Sequence, residues 1–257
     1  MSANRTARRA AGVASGGAAG TFPDPASGNP PAMGFMMHDE FTRPVDATTY
    51  GDLRWPIQTL GTAPTAAQQV PTADTEIGIT RLSTAVGSGV LEGGTLGMPL
   101  GTDRFIAALP AVGSSWMVKL KLVQTTQIEV WSGFQELTGR VNGGANDFIG
   151  VRAVAGGAGV NWFGVVRNGA VETATDLLIA ADTTWRVMGF TRTASGVEWR
   201  VYDASDVRAL TYDVVATVTT NFPNAALAPV ALGVAAVTGG TREADIDFWS
   251  LGGRVAR

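Results

Sequence analysis

The chain has 257 residues, 16% of them charged, and a net charge of -3 from 19 Lys+Arg against 22 Asp+Glu. That balance gives no ground for a general polyanion binder, so nucleic acid is not an expected partner. With no Cys and a single His, His38, disulfides, thiol chemistry and Cys-ligated metal are excluded, and a His-dependent triad would have to use that one residue.

Residues 1–34 read as a flexible N-terminal arm. They are rich in Ala, Gly, Ser and Pro, and Pro23, Pro25, Pro30 and Pro31 oppose a helix. Arg5, Arg8 and Arg9 precede an Ala/Gly run with no acid before Asp24, loosely like a targeting leader, but the run has no Leu or Ile. Such a segment buries too little apolar surface to order alone. A partner is expected to order it, with Arg5, Arg8, Arg9, Phe22, Phe35, Met36 and Met37 making the contacts. No run of 18 apolar residues exists, so no membrane span is expected.

The domain is expected over residues 35–257. Phe35 to Trp55 is an aromatic and Met-rich entry, followed by a loop-like stretch with Pro56, Pro64 and Pro71. Regular strand signals begin near Ile77. Trp116, Val118, Leu120 and Leu122 alternate with Lys119 and Lys121, the only lysines in the chain. Trp162 to Val166 and Val187 to Phe190 are apolar on both faces, as strands inside a sheet would be. Asn168-Gly169 between apolar runs signals a two-residue hairpin. Thr175 to Ala181 admits one short helical turn. Val197, Trp199 and Val201 alternate with polar residues, and so do Ala244, Ile246 and Phe248 in a closing strand at Ala244–Ser250. With 45% hydrophobic residues and 33 Gly, these signals predict about a dozen short strands and an all-β sandwich.

The order of segments adds to this. Asp39-Glu40-Phe41 opens the domain, then come Gly78-Ile79-Thr80-Arg81-Leu82-Ser83-Thr84 and Met117 to Leu122. Trp131-Ser132-Gly133-Phe134, Asp147 to Val151, Thr184 to Val187, Gly196 to Tyr202 and Asp245 to Trp249 follow. This series resembles the concanavalin A-like (laminin G-like) jelly-roll domains of tailed-bacteriophage virion structural proteins. The resemblance implies a jelly-roll β-sandwich over roughly residues 39–251. It implies a bacteriophage virion protein that is not an enzyme: a capsid decoration or head-fibre subunit, or a minor tail protein. Its partners would be other virion proteins and further copies of itself. It would sit at the particle surface after synthesis in the bacterial host cytoplasm. The alternative is a tail-associated, lectin-like protein that binds host glycan; a glycosidase of the same fold ranks third.

The residues themselves offer few chemical candidates. Period 2 places Glu243, Asp245 and Asp247 on one strand face, and paired carboxylates can divide acid and base roles. The plainer reading is the solvated face of a closing strand. A lone His38 beside Asp39 and Glu40 cannot build the usual zinc site. No catalytic residue, cofactor or metal is expected. Of the seven Trp residues, Trp131 and Trp249 are expected to point outward by phase. With Asp245 and Asp247 they are the candidate ligand or interface residues. The Gly-rich runs lack a following G-K-[ST] and read as turns.

Overall fold

The computed structural model describes residues 34–41, 49–51, 53–71, 78–86, 88–89, 92–97, 112–136, 146–155, 160–202 and 212–254, with side chains omitted at 34–37 and 253–254. Every element among these residues is a β-strand. In chain order they begin with β1 (Gly34–Asp39), β2 (Thr49–Tyr50), β3 (Trp55–Leu60), β4 (Thr65–Gln69), β5 (Ile79–Ser83), β6 (Gly93–Gly97), β7 (Ser115–Leu122) and β8 (Ile128–Gln135). They continue with β9 (Phe148–Ala155), β10 (Asn161–Asn168), β11 (Val171–Ala180), β12 (Arg186–Arg192), β13 (Val197–Tyr202), β14 (Tyr212–Val218), β15 (Ala228–Ala236) and β16 (Glu243–Arg254).

The strands form two antiparallel sheets. Sheet I has the order β14-β13-β12-β7-β16-β5-β4, with β1 also on β16; sheet II has the order β11-β10-β9-β8-β15-β6-β3-β2. Their inner faces meet in one apolar core, as alternation demands of a sandwich. Trp116, Val118, Leu120 and Leu122 all enter it from β7, as their spacing predicts. Val197 and Trp199 enter from β13. Aromatic rings run through its centre: Trp55 meets Trp249 edge-on at 5.1 Å, Trp249 meets Phe134 at 5.8 Å, and Phe190 meets Trp116 and Trp199 at 5.3 and 5.5 Å. Such pairs add about 0.5–1.5 kcal/mol each beyond their buried area.

The entry that reads as loop in sequence is structured. β1 to β4 all lie before Ile77, and the prolines punctuate them: Pro56 sits in β3 opposite Thr49 of the two-residue β2, while Pro64 and the residue pair Val70-Pro71 flank β4. Pro breaks a ladder only where its N–H is needed, and a strand near a sheet edge can spare it. The expected helical turn at Thr175–Ala181 is instead part of β11. There the register slips between Asn161 and Phe163, and Leu178 takes a φ of 58°, the mark of a bulge. The β10–β11 hairpin turns on Gly169-Ala170, one residue later than the Asn-Gly signal, with Asn168 opposite Val171 and Gly169 at φ 55°.

β16 organises sheet I. β7 runs along one edge, and the other edge is shared end to end by β5, at Glu243–Ile246, and β1, at Trp249–Arg254. Against β7 the register slips between Ile246 and Phe248, so Asp247 is an extra residue. Ala244 and Ile246 face the core before this bulge; Trp249 and Leu251 face it afterwards. The bulge therefore overturns the expectation that Trp249 points outward and Phe248 inward. Phe248 stands on the outer face, 5.9 Å from the His38 ring.

Asp39 ties β1 to the other sheet. Its buried carboxylate accepts the N–H of Phe41 (2.8 Å), the N–H of Leu53 (2.7 Å) and the indole N–H of Trp55 (3.1 Å). Gly51, at φ 71°, passes so close that a Cβ would overlap this carboxylate. Replacing Asp39 by Ala leaves two buried donors and one partly buried donor without their acceptor. It should lower stability by about 3 kcal/mol or more, read as a lower urea midpoint at unchanged m value.

Candidate functional site

Two polar assemblies lie on the outer faces of the sheets. On sheet I, register puts Asp245 of β16 beside Arg81 of β5 and Lys121 of β7. Arg81 grips both Asp245 oxygens at 2.7 and 3.0 Å, and Lys121 approaches to 3.7 Å. Arg81 also reaches Glu243 at 3.7 Å, and Ser83 donates to Glu243 at 2.9 Å. The hydrogen bond to Asp245, more than any other contact, holds the Arg81 guanidinium above its ordinary value. Further along, Lys119 Nζ lies 2.6 Å from Asp247 Oδ2, and the Gly78 N–H donates to Asp247 Oδ1 at 3.2 Å. The Trp185 ring lies 4.5 Å from Lys121 Nζ and 5.3 Å from Lys119 Nζ.

This geometry corrects the solvated-face reading of the closing strand. Asp245 and Asp247 are buried, and each faces a cation. Three acids meet three bases in this cluster, which ties β5, β16 and β7 together. A glycosidase pair needs one carboxyl free to hold a proton and both open to substrate; Asp245 and Asp247 are committed elsewhere.

Sheet II carries a second, smaller apolar cluster on its outer face: Trp131, Phe148, Val165, Val230 and Ala235, with Leu60 and Phe163 partly buried beside it. Trp131 lies on the side of β8 away from the inter-sheet core, yet it is fully buried, and its indole N–H donates to Gln135 at 3.1 Å. Gly233, opposite it on β15, leaves the space its ring occupies. Beside this cluster Glu172 accepts two hydrogen bonds from Arg152, at 2.9 and 2.8 Å, and others from Arg167, one of them at 3.0 Å. Burial pushes the Glu172 carboxyl up, but Arg152 and Arg167 outweigh it and hold it below the ordinary glutamate range. The Arg167–Glu172 pairing follows from the hairpin register. A hairpin placed one residue earlier hides it, which is why sequence reasoning misses this cluster.

Asp147 holds the base of that hairpin. Its carboxylate accepts N–H groups from Gly169 (2.5 Å), Asn224 (2.7 Å) and Ala225 (2.9 Å). Burial works against the charge, but these three donors prevail and depress the carboxyl.

The remaining candidates are dispersed. His38 Nε2 lies 3.4 Å from Glu40 Oε1 at the surface, far in role from a metal centre. No group of three metal-ligating side chains occurs among the described residues. Phe35, Met36 and Met37 belong to β1, opposite Gly253, Gly252 and Leu251, and their side chains lie outside the described set. Arg5, Arg8, Arg9 and Phe22 lie outside the described residues altogether.

No family model and no curated protein matches the chain. Solved structures do. A protein of unknown function from Shewanella oneidensis MR-1 is 14% identical, with a TM-score of 0.59 over 93% of this chain and 98% of its own. An immunostimulatory antigen and pseudo beta-1,3-glucanase of Mycobacterium tuberculosis is 13% identical, with a TM-score of 0.50 over 85% and 98%. The fold is the concanavalin A-like jelly roll. A β-glucanase of Bacillus licheniformis also matches, at 12% identity and a TM-score of 0.42 over 86% and 98%. The second of these names overturns the expectation that the chain is not an enzyme: a fold shared with a protein named as a pseudo beta-1,3-glucanase gives no ground for excluding glycoside hydrolysis.

Because the Glu172 carboxyl is depressed in the folded state, its stabilisation is present above the unfolded value, about pH 4.3, and is lost as pH falls through the folded one. Glu172→Gln should lower stability at pH 7, and the deficit should shrink steadily as pH falls below about 4.3, as measured by thermal melts across an acid series.

Proposed function

We propose that this protein is a structural component of a tailed-bacteriophage virion, a capsid decoration or head-fibre subunit whose jelly roll projects from the particle surface. The segment ahead of Gly34 fastens it to shell proteins or to sister copies. What supports this reading most is the exit of that segment. Gly34, the first described residue, pairs with Arg254 at the corner where β1 meets the end of β16, and that is where the segment ahead of it joins the domain. The strands of the described residues pair without residues 1–33, which suits a segment given over to attachment. The polar residues of the closing strand on sheet I are spent on holding strands together, which also suits an architectural role.

A second reading is a tail-associated protein that binds host glycan. It is favoured by the partly exposed Phe163, which lies over the buried Trp131 and Phe148 on the outer face of sheet II beside the polar Arg152 and Glu172. Aromatic faces and bidentate polar groups are what pyranose rings recognise.

Truncation separates the two. Removal of residues 1–33 should abolish loading onto particles while far-ultraviolet circular dichroism stays unchanged; full loading of the truncated protein would sink the attachment role. Removal through Phe41 should unfold the domain, since it takes away β1 and the Asp39 clamp. On a glycan array, binding by the intact protein that disappears in Phe163→Ala would establish the second reading.

A further inference from the structure

We propose that Lys119 and Asp247 condense into an intramolecular isopeptide bond that joins β7 to β16. Nζ and Oδ2 lie 2.6 Å apart, and the two side chains are only 1% and 2% exposed. The bulge at Asp247 aims its carboxylate at Lys119, whose direct neighbour across the ladder is Phe248. Bulges are a common device for re-aiming one side chain. The Trp185 ring lies 5.3 Å from Lys119 Nζ, and the Gly78 N–H donates to the other oxygen, Oδ1, at 3.2 Å.

The choice of lysine is informative. Of 19 basic residues only Lys119 and Lys121 are not Arg. A buried ion pair is better served by guanidinium, which is less strongly hydrated and grips both carboxylate oxygens, as Arg81 does with Asp245. An ammonium can do what guanidinium cannot: lose a proton and attack a carbonyl carbon. Lys121 provides an internal contrast. It is partly exposed and 3.7 Å from an Asp245 already held by Arg81, so it stays unlinked.

The step balances without a co-reactant. One proton passes from Nζ to Oδ2, giving an amine and a carboxylic acid. The amine lone pair attacks Cγ, and the Gly78 N–H stabilises the negative charge that develops on Oδ1. The Nζ–Cγ bond forms, the Cγ–Oδ2 bond breaks, and Oδ2 departs as water with its own proton and one from Nζ. An ammonium and a carboxylate thus become an amide and one water. Exclusion of bulk water slows the reverse hydrolysis.

Intact-mass spectrometry of the folded, full-length protein tests this without any assumption about its function. The expected mass is about 18 Da, one water, below that of the linear sequence. Tryptic mapping should give a branched peptide through Lys119 and Asp247, with no cleavage after Lys119. Lys119→Arg should restore the full mass, and Lys121→Arg should not. A wild-type protein at its full linear mass overturns the proposal, even if Lys119→Arg fails to fold. So does a water loss that maps to other residues.

Discussion

A single buried carboxylate sets how the two sheets meet. Asp39 ends β1, a strand of sheet I, and accepts hydrogen bonds from Leu53 and from the Trp55 indole at the start of β3 in sheet II. Hydrophobic burial drives two sheets together but is indifferent to small slides and rotations. Directional bonds to a buried charge are not. Trp55, fixed by that bond, then meets Trp249 of β16 edge-on, and the ring sequence through Phe134, Trp116 and Phe190 follows from there. The Asp-Glu-Phe entry is therefore a clamp with a defined purpose, and Gly51 is the residue that lets the chain pass close enough to form it.

The outer faces are managed differently. Sheet I buries charge and neutralises it: Arg81, Lys119 and Lys121 answer Glu243, Asp245 and Asp247 across three adjacent strands. A buried ion pair contributes little net stability, but loss of one partner is costly, so such a network enforces register. Sheet II instead builds a satellite apolar cluster around Trp131 and edges it with Glu172 between two arginines. Both arrangements absorb side chains that, viewed in isolation, look like candidates for chemistry. The architecture is shared with a protein of unknown function and with one named as a pseudo beta-1,3-glucanase, so function has to be decided at the level of these side chains.

The bulge in β16 links several of these features. One extra residue, Asp247, inverts the phase of the strand. It brings Trp249 into the core beside Trp55, sends Phe248 out beside His38, and turns the Asp247 carboxylate towards Lys119. It also falls where β16 changes neighbours, from β5 to β1. A local irregularity at that junction accommodates two partner strands that meet end to end.

The sequence by itself determined what short-range physics controls. Alternation in β7 and β13 identified their core faces, the Asn-Gly signal placed the β10–β11 turn to within one residue, and the absence of Cys and a second His excluded whole classes of chemistry. Together these specify an all-β sandwich. Only the tertiary structure decided which face Trp249 occupies, that Asp245 and Asp247 are buried, that Arg152 and Arg167 converge on Glu172, and that the Pro-bearing entry forms four strands. The reason is common to all of them. Period-2 reading propagates a phase along one strand, and a bulge or a one-residue turn shift resets it through contacts made elsewhere in the chain. Whether a polar strand face is solvated or covered depends likewise on residues far away in sequence, as Trp185 is from Lys119 and Gly78 from Asp247.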